Sequence, residues 1–295
     1  MNALTPAAVL ARVAGAIPKK CRPNVVIIGS LAAGYNFFRD DAKRSVRTKD
    51  VDCVLEPHHL AVSAGQSVTR QLLKAGWKPA AGGAFAQPGD ADTPTDKLPA
   101  VRLYPPAKKR GRKSAEADEW FIELLTVPPP GADAAQSWTR LPSFRFLTLT
   151  VHRPERAENL GIRYARPAMM ALANWLEHPR IKPERMTGLF ANRSIKRTNK
   201  DLGRVLALAV LAGDAVSDWR FAWEGALRHC FPAEWPVLAG KVGHGLRELL
   251  ASPDDLDEAH HTCLNGLLAT HHVSLVQLRE AGERLIEKAV TPLKA

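Results

Sequence analysis

Cysteine is scarce in this chain. The four present, Cys21, Cys53, Cys230 and Cys263, are scattered through 295 residues and form no Cys-x-x-Cys pair. That argues against a disulfide framework and leaves reduced thiols as the expectation. Long apolar runs are missing too: no stretch approaches the roughly 20 residues of a membrane span. The first ten residues, Met1 to Leu10, lack a basic segment followed by a long apolar core. The expectation is therefore a cytoplasmic protein without a membrane partner. No internal repeat is visible. Acidic residues are the minority, 30 Asp and Glu against 41 Lys and Arg, and the formal net charge is +11. Such a balance favours an anionic partner, a nucleic acid or nucleotide, or an acidic protein.

A hydrophobic content of 45% and a charged content of 24% describe an ordinary globular chain. At this length it can bury a sizeable core, and two domains are expected. Buried-strand runs are read at 25–28 and 51–55, with further strands at 101–104, 120–126 and 144–151. Helices are read at 5–16, started by Thr5-Pro6, and at 58–75, ended by Gly76. The stretch 79–99, rich in Ala, Gly, Pro, Asp and Thr, reads as an exposed loop, and 108–113 as a basic tip. Beyond Pro167 the pattern turns helical: 167–177, 199–212, 216–228, 235–251, 255–269 and 274–290. The fold class expected is α+β, with an N-terminal mixed-sheet domain over 1–165 and a C-terminal helical domain over 166–295.

The richest signal is Arg-Thr-Lys-Asp-Val-Asp-Cys-Val-Leu at 47–55. Asp50 and Asp52, two residues apart on a strand, share one face of a sheet. Two like charges so close call for a cation. Upstream, Val-Val-Ile-Ile at 25–28 runs into Gly29-Ser30, a turn into a helix whose free N–H groups suit a phosphate. Downstream, Glu123 sits among apolar strand residues, with Glu116 and Glu119 as alternatives. Phosphoryl chemistry of this kind uses divalent ions on shared carboxylates to neutralise charge building on phosphoryl oxygens. Mg²⁺ suits a few carboxylates plus phosphate oxygens. Asp50, Asp52 and Glu123 are thus the candidate catalytic and metal-binding residues. Gly29, Ser30 and Lys49 are the candidate nucleotide-binding ones, and Arg39, Lys43, Arg44 and Arg47 extend a basic surface. His260-His-Thr-Cys263 has metal-ligand residue types but no second pair at a familiar spacing, and the Trp residues at 175, 219, 223 and 235 read as core.

Gly29-Ser30, Asp50/Asp52 and Glu123 together resemble the nucleotidyltransferase superfamily that includes DNA polymerase β. Gly161-Ile-Arg-Tyr-Ala-Arg-Pro and Lys196-Arg-Thr-Asn-Lys-Asp-Leu202 look like the helical portion of bacterial relatives of the AbiEii and MenT toxins. The resemblance spans about 24–212. It implies a nucleotidyltransferase catalytic domain at 1–165 and an Mg²⁺-dependent transfer of NMP from an NTP to a hydroxyl, on a tRNA 3′ end or other RNA, or on a protein. It further implies that Lys200 contacts phosphate, that Asp201 holds Lys200 or a neighbouring cation, and that an antitoxin is a candidate partner. Where relatives carry a Lys in the helix after the proline, this chain has Asn174-Trp175. That difference favours the alternative, a catalytically degenerate fold that binds nucleic acid or protein.

Overall fold

The computed structural model describes residues 5–41, 43–44, 50–79, 101–106, 121–127, 144–178, 184–186 and 188–294. Arg47, Lys49, the loop from 80 to 99, the basic tip 108–113, Glu116 and Glu119 lie outside them. Among the described residues seven strands form one mixed sheet accompanied by many helices. The chain divides into two compact units. One comprises Pro6–Tyr35 and Thr48–Ala165; the other comprises Met1–Thr5, Asn36–Arg47 and Arg166–Ala295.

The first unit holds the sheet. Its strands are β1 (Val25–Ile27), β2 (Asp50–Leu55), β3 (Lys78–Pro79), β4 (Val101–Tyr104), β5 (Phe121–Thr126), β6 (Glu155–Ala157) and β7 (Ile162–Tyr164). Their order is β3-β4-β5-β2-β1-β7-β6. The β2–β5 and β1–β7 pairs are parallel, and the remaining pairs are antiparallel. All of β1 is buried, consistent with a central strand. β2 and β5 instead alternate at their first halves: Val51, Cys53, Ile122 and Leu124 are fully buried, while Asp50, Asp52, Phe121 and Glu123 are half-buried. Helix α3 (His58–Lys74) packs against β2, β4 and β5, and α1 (Pro6–Ala16) buries Leu10 and Val13. Arg22 ties the approach to β1 to the β6–β7 turn, donating to the Leu160 carbonyl at 3.1 Å and to Ile17 at 3.2 Å.

One expectation is corrected here. Residues 144–151 are not a strand: they form a turn and a short helix, α4 (Leu147–Thr150). The apolar alternation of Phe144 with Phe146 and of Leu147 with Leu149 imitates a strand. The backbone instead closes three-residue turns, Leu147 onto Phe144 and Leu149 onto Phe146, which bury Leu147 and Leu149. The chain then returns to the sheet at β6 and β7, three residues each, too short to announce themselves by period.

The second unit is helical. It contains α5 (Pro167–Glu177), α6 (Arg197–Ala212), α7 (Trp219–Cys230), α8 (Trp235–Lys241), α9 (Leu246–Ala251), α10 (Pro253–Leu264), α11 (Leu275–Leu285) and α12 (Thr291–Lys294), with a π-turn at Ile286–Val290 before the last. Helix α2 (Gly29–Phe37) crosses from the sheet unit into it after Tyr35. α6 is the hub, packed by α10, α5 and α11. Trp175, Trp219 and Trp223 are buried, with Trp175 and Trp223 edge to face at 5.8 Å. Trp223 donates to the Ala168 carbonyl at 2.8 Å, so the indole enters the core with its polar atom paired. The helix expected over 235–251 is two. Gly245, at φ +74, breaks it, and a Cβ there would lie 2.8 Å from His178 Nε2. No helix among the described residues is long and apolar enough to cross a membrane.

Candidate active site

The register of three strands assembles the predicted residues of the sheet unit. Ile27 of β1 lies opposite Cys53 of β2, and the Ile28 N–H donates to the Asp52 carbonyl at 3.0 Å. Pairing therefore carries the next residue, Gly29, directly beside Asp52. Gly29 adopts φ +70, a left-handed conformation that glycine takes freely. A Cβ built on it would stand 2.7 Å from Asp52 Oδ2. The space a side chain would fill is thus taken by the carboxylate. From Gly29 the chain enters α2, whose first turn carries no acidic residue, so its positive end is not offset by its own side chains. Ser30, half-buried, occupies that first turn.

On the other side of β2 the parallel pairing sets Asp52 beside Glu123 and Asp50 beside Phe121. Neighbouring strands stand about 4.8 Å apart, so Asp52 and Glu123 are adjacent anions on one face. Asp50 follows on that face about 7 Å along β2. The structure thus brings together Gly29, Ser30, Asp50, Asp52 and Glu123. Cys53, buried beneath them, has its thiol pushed well up by burial and then by the Asp52 charge, so it takes no part as a thiolate.

Beyond Glu123 the row continues with a cation. β4 runs antiparallel to β5 and places Arg102 opposite Glu123. Arg102 Nε donates to Glu123 Oε2 at 2.8 Å, with the acid 16% exposed and the arginine 41%. The Arg102 guanidinium also sits 5.5 Å from the Phe121 ring centroid, and Phe121 contacts Tyr104 at 5.3 Å. Arg102 and the Tyr104–Phe121 pair are the components that sequence reasoning missed. A signal existed, since Val101-Arg-Leu-Tyr alternates and puts Arg102 and Tyr104 on one face. Which face, and opposite which acid, depends on a pairing across about 20 residues that local pattern does not encode.

Tested against a divalent ion, the donors divide. Asp50 and Asp52, two carboxylates on one half-buried face, have the oxygen chemistry that Mg²⁺ takes. Glu123 is already neutralised by Arg102 and fits an ion less well. Among the described residues no group of three His, Cys, Asp or Glu side chains is arranged as a metal site.

Lys200 and Asp201 belong to the helical unit, in α6. The Lys200 ammonium lies 5.6 Å from the Phe190 ring centroid. Asp201 is 6% exposed, and its Oδ2 is buried without a hydrogen-bond partner among the described residues. Burial raises its pKa, opposed by the charges of Arg204, Arg197 and Lys200. Asn174, at the position expected to carry a Lys, donates to its own helix at Met170 O, 2.8 Å away. The His260–Cys263 run is structural: His260 bonds the Val273 carbonyl, His261 the Phe190 carbonyl, and Cys263 the Gly203 carbonyl, with its thiol pushed up to about 12 by burial. No family model matches the chain, and no match to it is found among curated proteins.

Proposed function

We propose that this protein is an Mg²⁺-dependent nucleotidyltransferase that moves NMP from an NTP to a hydroxyl acceptor. The observation that carries the reading is the junction of Gly29 with Asp52: a left-handed glycine at the head of α2, with the carboxylate seated where its Cβ would be. That junction puts a phosphate-competent helix start and an acidic strand side by side, as in-line displacement at an α-phosphorus requires. Asp50 and Asp52 would hold Mg²⁺, which when bound neutralises charge on the phosphoryl oxygens. Gly29 and Ser30 orient the triphosphate through backbone N–H groups and the Ser30 hydroxyl. The acceptor oxygen forms its bond to the α-phosphorus as the bond to pyrophosphate breaks, and the hydroxyl proton passes to the carboxylate row or to water.

The acceptor proposed is an RNA 3′ end, because the net charge of +11 favours a polyanion. Basic side chains would serve it, in a cytoplasmic setting that suits four free thiols. A toxin-like role with an antitoxin partner belongs to the same reading. One observation favours the second reading, a binding module without catalysis: Glu123 is paired with Arg102, and Asn174 stands where a phosphate-binding Lys is expected. Labelled NTP with Mg²⁺ and total RNA separates the two. Transfer that is lost in both Asp50→Ala and Asp52→Ala, with folding retained, supports the enzyme. Transfer that survives both substitutions removes it, and RNA binding without transfer supports the module.

A further inference from the structure

Arg102 is a cation held at the end of the acidic row. The antiparallel register sets it opposite Glu123, the 2.8 Å bond from Nε to Oε2 holds its head, and the Phe121 ring flanks the guanidinium at 5.5 Å. Phe121 is itself braced by Tyr104. A guanidinium keeps its charge at every working pH, and its planar fork loses little freedom in such a clamp. An ion ligated by both Glu123 oxygens would have to break this charge-assisted bond, and one ligated by Oε1 alone would stand close to a permanent positive charge.

We propose that Arg102 is a positioning residue that takes the place of a second metal ion. It holds Glu123 beside Asp52, while a single divalent ion is carried by Asp50 and Asp52. The inference rests on the nucleotidyltransferase reading above, and it departs from the two-ion arrangement with Glu123 as a ligand. In this arrangement the guanidinium supplies near Glu123 the positive charge that a second ion supplies elsewhere. The site then needs only the ion that arrives with the triphosphate.

The test counts protein-bound Mn²⁺ by electron paramagnetic resonance, in the presence of a non-hydrolysable NTP analogue. The expected result is one ion per chain for the wild type and for Arg102→Lys, which keeps the charge, and two for Arg102→Gln. Glu123→Gln is expected to leave the single ion bound with its affinity changed by less than threefold. Two ions on the wild type, one on Arg102→Gln, or loss of the ion in Glu123→Gln would each overturn the proposal. No bound ion on the wild type would instead remove the metal-dependent reading itself, and this inference with it. Circular dichroism of each variant separates a binding change from unfolding, and Arg102→Lys decides the matter should Arg102→Gln fail to fold.

Discussion

Gly29 is where a single atom matters most. Its φ of +70 costs an ordinary residue about 1–2 kcal/mol. An added Cβ would also meet Asp52 Oδ2 at 2.7 Å and push the carboxylate from its seat. Gly29→Ala is therefore expected to lower stability by about that amount and to reduce nucleotidyl transfer far more than the stability loss explains. Urea denaturation and label transfer on the same preparation check both, and wild-type values in both would contradict the contact. Asp201 makes a prediction of opposite sign. Burial raises its folded pKa, so its charged form weakens the fold at neutral pH, and stability from this group grows as pH falls through the raised value. Asp201→Asn should raise the denaturation midpoint at pH 7 and flatten its pH dependence. A lowered midpoint would show that the carboxylate is used. At this scale the sequence was most legible. That Asp50, Asp52 and Glu123 share a face was readable, because strand parity fixes it. The Arg102–Glu123 pair was not, because register between β4 and β5 is a property of the folded sheet.

Where α6 begins against α10, the helical unit carries a polar network. Glu258, buried on α10, accepts from Arg185, from the Lys196 backbone N–H and from Asn199. Asp255 accepts from Lys196 Nζ at 2.7 Å and from Asn199 at 2.8 Å. Burial raises both acids, but these bonds outweigh it, and each carboxyl ends below its usual range. Depressed folded values mean stability that is complete above about pH 5 and is lost as pH falls through them. Glu258→Ala strands the Lys196 N–H and one of the two Asn199 amide hydrogens, the other staying on Asp255, at a cost on the order of 2–4 kcal/mol. It should also weaken the acid sensitivity of the helical unit. Melts between pH 3 and 7 (roughly the range over which such carboxyls titrate) check this, and an unchanged pH profile in the variant would contradict it. Elements with long, regular periods, α3, α5 and α6, were legible from the chain alone. Those set by turns or by distant partners were not: α4 read as a strand, β6 and β7 went unseen, and α8 and α9 merged across Gly243 and Gly245.

For the whole molecule, the charge excess is the property that bears on the acceptor. With 41 basic side chains against 30 acidic ones, RNA binding should be driven by counterion release. The association constant is expected to fall linearly on a log–log plot against salt, with a slope that reports the phosphates engaged. A flat dependence would move the acceptor from RNA to a protein side chain. The mixed sheet and the helical second half were both foreseeable from composition and period, since the chain changes character near Pro167. How the sheet is ordered was not, because two parallel pairs, β2–β5 and β1–β7, join strands far apart in sequence. The claim that joins all three scales is that the Gly29–Asp52 junction works on an NTP. The direct measurement is transfer of α-labelled NMP, with Mg²⁺, from each NTP to total RNA by the wild type and by Asp52→Ala. The account predicts label on RNA with the wild type and at least about a hundredfold less with the variant, as loss of a principal catalytic group implies. Equal labelling by the two proteins would contradict it.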